Sequence, residues 1–260
     1  MNGGLKMEQQ KVEQLFKWFD QTVDIISENV NITYLEAIIE AGEILFEKEI
    51  LLEVNDTTKA KLKDQLKNID LSQFEKEEIR KALQLTILKG MKGATQQQHF
   101  ITPDTVSMLM GYLLSKFMKE EKVFSLFDPA CGSGNLLTAV LNQMGDKQIT
   151  ATGSEVDPTL LQLAYVNANL QEREIEFLHQ DSLGNLLIEP QDVIVSDLPV
   201  GYYPDDIQAK SYELRSEEGH SFAHHLFIEQ SLRYTKPGGY LLLLVPVFLF
   251  NSEQSDKLHE

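Results

Sequence analysis

The sequence predicts an α/β fold built on a parallel sheet and preceded by a small all-α domain. Two observations carry this reading. From residue 93 onward, short apolar runs that read as buried strands alternate with helical patterns, the signature of βαβ units. Before that, residues 8–90 place their apolar side chains at helical spacing. The expected division is 1–92 for the helical domain and 93–260 for the α/β domain.

In chain order, Val12, Leu15, Phe16, Phe19, Val23 and Ile26 form one apolar helical stripe. Leu35, Ile38, Ile39 and Leu45 repeat it after the polar break at Asn29–Asn31. Ser72-Gln-Phe-Glu75 has the form of a capping box and is expected to open a third helix through Ile79, Leu83 and Ile87. Met91 to His99 is polar and aperiodic, a linker. Phe100-Ile-Thr-Pro103 then starts a helix, with Thr102 as N-cap and Pro103 at its first position. Strands are expected near 123–127, 149–154, 175–179, 192–196 and 240–247, and helices over 134–143, 158–170 and 221–235. Lys236-Pro-Gly-Gly239 reads as a helix stop and turn. The acidic stretch from Tyr203 to Gly219 reads as a mobile, solvated lid.

Composition narrows the function classes. No apolar run is long enough to cross a bilayer and no charged-then-apolar leader opens the chain, so no membrane role is expected. Cys131 is the sole cysteine, which excludes an internal disulfide and points to a reducing, cytoplasmic setting. Net charge is −17, and residues 123–260 hold 20 acidic against 7 basic side chains. Duplex binding rests on Lys and Arg neutralising phosphates, so a nucleic-acid substrate would need its grip from elsewhere.

Two segments carry chemistry. Asp128-Pro-Ala-Cys-Gly-Ser-Gly134 follows the first strand, and its small residues let backbone approach a nucleotide-like ligand. A helix opening at Asn135 would direct its first amides at the same place. The third glycine of a dinucleotide fingerprint is Leu137 here, against that motif. Glu155 at the second strand tip can accept from ribose hydroxyls, with Asp157-Pro158 capping the next helix. Asp181, after the third strand, can accept from an adenine amino group or serve as a turn residue. Asp128 suits an ammonium group, and Cys131 suits a small buried space. The second segment, Asp197-Leu-Pro-Val-Gly-Tyr-Tyr203, ends the fourth strand. A carboxylate with the carbonyl of Leu198 or Pro199 can hold an –NH2 group, although the same residues also make ordinary turns. His220, His224 and His225 lack the company of a recognisable metal-ligand set, and no metal is expected.

Taken together, the chain resembles the N6-adenine DNA methyltransferases, in particular the modification subunits of type I restriction systems. Gln98-His-Phe-Ile-Thr-Pro103 resembles the family's segment before the first strand, and Asp128–Gly134 matches its cofactor loop residue for residue. Asp197 and Pro199 fall at the first and third positions of its Asn/Asp-Pro-Pro-Tyr/Phe motif. The resemblance covers about 98–250. It implies a Rossmann-like class I methyltransferase sheet using S-adenosyl-L-methionine. The implied cofactor site is Phe100, Thr102, Asp128, Pro129, Ala130, Cys131, Gly132, Ser133, Gly134, Asn135, Glu155, Val156, Asp181, Ser182, Leu183 and Asp197. The implied catalytic group is Asp197, Leu198 and Pro199, and Tyr202 or Tyr203, from a loop widened by Gly201, is expected to supply the aromatic. Two departures matter: Val200 stands where the family has its base-stacking aromatic, and Leu198 replaces the first proline. The family's sheet carries two more strands and a target-recognition region, so the C-terminal part is expected to be missing. The expected activity is adenine-N6 methylation of DNA. The alternatives are N-methylation of RNA or of a protein amide, or a weakly catalytic cofactor-binding protein acting through partners. DNA is the expected partner, though not through this acidic segment alone, and the helical domain offers a surface to a protein partner.

Overall fold

The structure, a computed structural model, describes residues 2–91, 101–251 and 256–258. Of the linker expected over 91–99, Met91 instead ends a helix, and the remainder lies outside the described residues, as does the contact expected of Phe100. Four helices come first: α1 (Asn2–Ser27), α2 (Tyr34–Glu47), α3 (Asp56–Lys67) and α4 (Lys76–Met91). α3 has a weak apolar face, burying only Thr58 and Leu62, which is why no stripe announces it in the sequence. It is opened by Asn55, whose side chain accepts from the Thr58 amide at 2.8 Å.

The capping box is at Thr33 rather than Ser72. The Thr33 hydroxyl accepts from the Glu36 amide at 3.2 Å, and the Glu36 carboxylate accepts from the Thr33 amide at 2.7 Å. Ser72 is instead held by Asp70, which accepts from both its amide and its hydroxyl in a 3-10 turn over Leu71–Gln73. α4 then starts three residues later than expected, with the Glu78 carboxylate accepting from the Glu75 amide at 2.8 Å.

The second half gives α5 (Asp104–Phe117), β1 (Val123–Asp128), α6 (Asn135–Asn142), β2 (Gln148–Glu155), α7 (Pro158–Leu170), β3 (Ile175–His179), β4 (Gln191–Asp197), α8 (Asp206–Ala209), α9 (Ala223–Arg233) and β5 (Thr235–Leu244). The five strands form one parallel sheet in the order β3-β2-β1-β4-β5. Alternation of side chains sends Leu126, Val193, Val195 and Leu242 to the face covered by α5 and α6. Phe127, Ile194 and Leu241 point to the opposite face.

Three further expectations change. Thr102 does not cap α5: Pro103 occupies that position without a side-chain bond, and Thr102 is buried. Lys236–Gly239 falls within β5, which begins at Thr235, but as a bulge: Gln191 pairs with Thr235 and Val193 with Tyr240, which leaves the four residues between without ladder partners. The strand ends at Leu244, and Val247–Asn251 is a 3-10 turn. Lastly, 203–219 is not a solvated lid. It contains α8, and Tyr203, Ala209, Tyr212 and Leu214 are buried. Tyr212 donates to the Leu183 carbonyl at 2.6 Å, tying the segment to the turn after β3.

The core of the helical segment does not close on itself. Buried residues of α1, α2 and α4 share one apolar cluster with Leu160, Leu163, Val166 and Leu170 of α7, so the helices pack directly on the sheet's outer layer.

Candidate active site

β1 lies between β2 and β4, and the chain connections diverge there, which opens a crevice at the carboxyl ends of the strands. A cavity of about 490 Å³ occupies it, a size that suits a small organic ligand. The loop after β1 forms its floor. Gly132 (φ +55°) and Gly134 (φ +73°) adopt left-handed conformations that glycine takes freely. Backbone bonds fix the loop: the Cys131 amide donates to the Ser154 carbonyl at 2.9 Å, and the Gly134 amide to the Cys131 carbonyl at 2.8 Å. α6 begins at once, with a glycine N-cap that supplies no side chain to its first turn. The partial positive charge of that helix end therefore faces the loop.

Glu155 closes the loop from the next strand. One carboxylate oxygen accepts from the Gly132 amide at 3.0 Å, and the other accepts from the Val156 and Asp157 amides at 2.8 Å each. A carboxylate offers about four acceptor positions, so one is left for a ligand hydroxyl. Asp181 has its two oxygens on the Leu183 amide (2.9 Å) and the Tyr203 hydroxyl (2.6 Å). Asp128 accepts from the Ser196 hydroxyl at 2.7 Å and the Ala130 amide at 3.1 Å. It is 1% exposed, and that burial, aided by the charges of Asp197 and Glu155, pushes its carboxyl up to about 7 against the two hydrogen bonds.

Asp197 ends β4 half-buried on the opposite wall. Burial raises its carboxyl, and a hydrogen bond with the Thr102 side chain opposes the rise. Strand pairing continues one residue past it, the Leu198 amide donating to the Leu244 carbonyl at 3.1 Å, which fixes the carboxylate's direction. Beyond lies an aromatic cluster. Tyr202 pairs with Phe222 in an isolated antiparallel bridge, and their rings stack 4.7 Å apart at 17°. Both Tyr202 and Tyr203 line the cavity; Tyr202 is 63% exposed, and Tyr203 is buried and donates its hydroxyl to Asp181.

Most residues singled out from the sequence therefore meet here. Thr102, Pro129, Ala130, Cys131, Gly132, Ser133, Asn135, Glu155, Val156, Asp181, Ser182, Asp197, Pro199 and Tyr202 line the cavity. Asp128, Gly134, Leu183 and Leu198 do not; Asp128, Leu183 and Leu198 are buried behind the wall, and Gly134 packs against Ala164. Sequence reasoning missed the apolar wall of Met91, Ile101, Leu136, Leu160 and Phe227. Ile101 and Leu136 adjoin the motifs and were within reach, whereas Met91 and Phe227 arrive only through tertiary packing. The three histidines sit apart from this wall. His220 pairs with Asp206 at 2.9 Å, and His224, buried against Phe222 and His225, is pushed down to about 4 by that burial.

Comparison with known proteins bears on this arrangement. Residues 86–259 match the family described as N-6 DNA Methylase, and residues 13–91 match the YtxK N-terminal helical domain. The chain is 45% identical to the uncharacterized protein YtxK of Bacillus subtilis, over 98% of this chain and 78% of that one. It is 50% identical to an inferred class I S-adenosylmethionine-dependent methyltransferase of Listeria monocytogenes of known crystal structure. That likeness covers 96% of this chain and 77% of that one, with a TM-score of 0.89. The methyltransferase subunit of a Streptococcus thermophilus type I restriction-modification system shares the fold, at a TM-score of 0.60 and 17% identity over 86% of this chain and 54% of that one. The fold is that of a class I S-adenosylmethionine-dependent methyltransferase. Within that class, the chain belongs to the N-6 DNA methylase family.

The cavity fits S-adenosylmethionine on its own terms. Gly132 has open space where a side chain would project, Glu155 keeps an acceptor position at the strand tip, and carboxylates surround the place for a cationic ligand.

Proposed function

We propose that this chain transfers a methyl group to an amine nitrogen held by Asp197, specifically N6 of adenine in DNA, in the cytoplasm. The observation that carries the reading is the meeting of Glu155, Asp181 and Asp197 on one cavity with an exposed aromatic, Tyr202, at its mouth. When bound, S-adenosylmethionine supplies a methyl group activated by a sulfonium. The Asp197 carboxylate accepts one N–H of the acceptor, and the carbonyl of Leu198 or Pro199 accepts the other, which leaves the nitrogen lone pair directed at the methyl carbon. A bound donor would give its methyl group to this nitrogen, which would then shed a proton. Asp197, with its carboxyl raised by burial, is suited to take that proton. Positioning is the principal catalytic contribution in such a transfer. Glu155 would hold the ribose and Asp181 the adenine of the cofactor, with residues 93–260 forming the methyltransferase domain and 1–92 the helical one.

Val200 and the acidic surface favour another reading, a cofactor-binding protein with little activity that acts through partners, and an amine in RNA or a protein amide is a further candidate substrate. Tritiated methyl transfer to DNA, RNA and protein separates these readings. Label in DNA adenine is expected, and Asp197→Ala is expected to abolish it while cofactor binding survives. Label in RNA or protein alone would move the substrate, and no label in any of the three would leave a cofactor-binding protein.

A further inference from the structure

The methyltransferase reading gives the helical segment no task, yet one of its side chains reaches the site. Arg80 of α4 is 0% exposed, and all five of its N–H donors are committed. Nε and Nη2 form a fork on the Glu77 carboxylate at 2.9 and 2.6 Å. Nη2 also donates to Asp104, at the start of α5. Nη1 donates to Asn135 Oδ1 at 2.7 Å and to Gln84 Oε1 at 3.4 Å. Asn135 is the first residue of α6 and lines the cavity. Its amide nitrogen, like that of Gln84, donates to the Thr102 carbonyl at 3.4 Å, and the Thr102 hydroxyl reaches Asp197. A second route leaves Glu77. It runs through Asn142 (3.2 Å), Gln171 (2.9 Å) and Asn167 (2.6 Å) to the Ser133 carbonyl in the cofactor loop (3.1 Å).

We propose that Arg80 is a positioning residue of the active site, through which the helical segment sets the cofactor loop at Asn135 and the Thr102–Asp197 contact. This rests on the methyltransferase reading of that cavity. A buried guanidinium whose donors are all spent is rigid, since releasing any partner strands a buried polar group. It therefore ties together three backbone segments: the last helix of the helical layer, the entry to α5 and the first turn of α6. Lysine carries the same charge on a single ammonium and cannot span Glu77, Asp104 and Asn135 together.

Calorimetric titration of the full chain with S-adenosylmethionine tests this. Arg80→Met is expected to weaken binding tenfold or more at a temperature where the variant is folded. Leu15→Ala, which opens a cavity on α1 in the helical core, is the control for lost stability and is expected to keep affinity within twofold at a matched drop in melting temperature. Arg80→Lys is expected to recover melting temperature more than affinity. Equal losses of affinity in Arg80→Met and Leu15→Ala, or none in Arg80→Met, would overturn the proposal. If Arg80→Met does not fold, Gln84→Leu deletes the bond to the Thr102 carbonyl while leaving every charge paired. A threefold or greater loss of affinity is then expected, and unchanged affinity overturns. Wild-type protein that takes up no S-adenosylmethionine would defeat the cofactor reading instead. The Arg80 link is then judged by hydrogen exchange of amides 130–136, expected to quicken tenfold in Arg80→Met but not in Leu15→Ala, and equal exchange would overturn it.

Discussion

Asp128→Asn isolates the cost of burying a carboxyl beneath the cofactor loop. The Asp128 carboxyl stands near 7 in the folded protein against an ordinary 3.8, chiefly through burial. Between about pH 4 and 7 the unfolded chain has lost this proton while the folded chain retains it, so stability falls as pH rises across that window. At 1.36 kcal/mol per pH unit, the loss on reaching pH 7 is about 4 kcal/mol. Asparagine offers the same kind of oxygen to the Ser196 hydroxyl and the Ala130 amide and carries no charge to desolvate. Any packing cost of its NH2 group is independent of pH. Urea unfolding of both proteins from pH 4 to 8 cancels the contributions of all other carboxylates. The stability of Asp128→Asn relative to wild type is expected to climb by about 4 kcal/mol over that range. An offset constant within about 1 kcal/mol would refute the assignment of a raised carboxyl to this residue.

The same ionisation bears on the ligand. Ionised Asp128 adds negative charge beside Asp197 and Glu155, so affinity for S-adenosylmethionine is expected to rise roughly tenfold between pH 6 and 8, and affinity for the uncharged-sulfur S-adenosylhomocysteine to rise less. Identical pH slopes for the two ligands would contradict this. Gly153→Ala would place a methyl group 3.0 Å from Cys131 Sγ and 3.1 Å from the Phe177 ring. It is expected to cost about 1–3 kcal/mol in denaturant unfolding and to weaken the cofactor by displacing the loop; unchanged stability would show that the loop yields freely.

The centre of the parallel sheet was legible because β1 and β4 are largely buried and read as apolar runs, Val193–Val195 above all. The candidate cofactor loop was legible as a structural feature because its determinants are local. A left-handed glycine turn, a carboxylate at a strand tip and a capping Asp157 each announce themselves within a few residues. What escaped depends on competition between neighbours or on distant packing. Asp70 outbid the capping box for Ser72, and Thr102 turned inward to Asp197 instead of capping a helix. Charge alone marked 203–219 as solvated, although Tyr203 and Tyr212 within it are buried anchors. Nothing local distinguishes Arg80 from the solvated lysines around it, because its partners Asp104 and Asn135 lie 24 and 55 residues away.

As a cofactor site, the cavity at the strand ends would be organised by Glu155. Calorimetric titration of S-adenosylmethionine into wild type and Glu155→Ala tests this directly. One site per chain is expected for wild type, weakened at least about tenfold in the variant through loss of charge-assisted bonds. Equal affinity in the two proteins, or no heat of binding at millimolar wild-type protein, would contradict it.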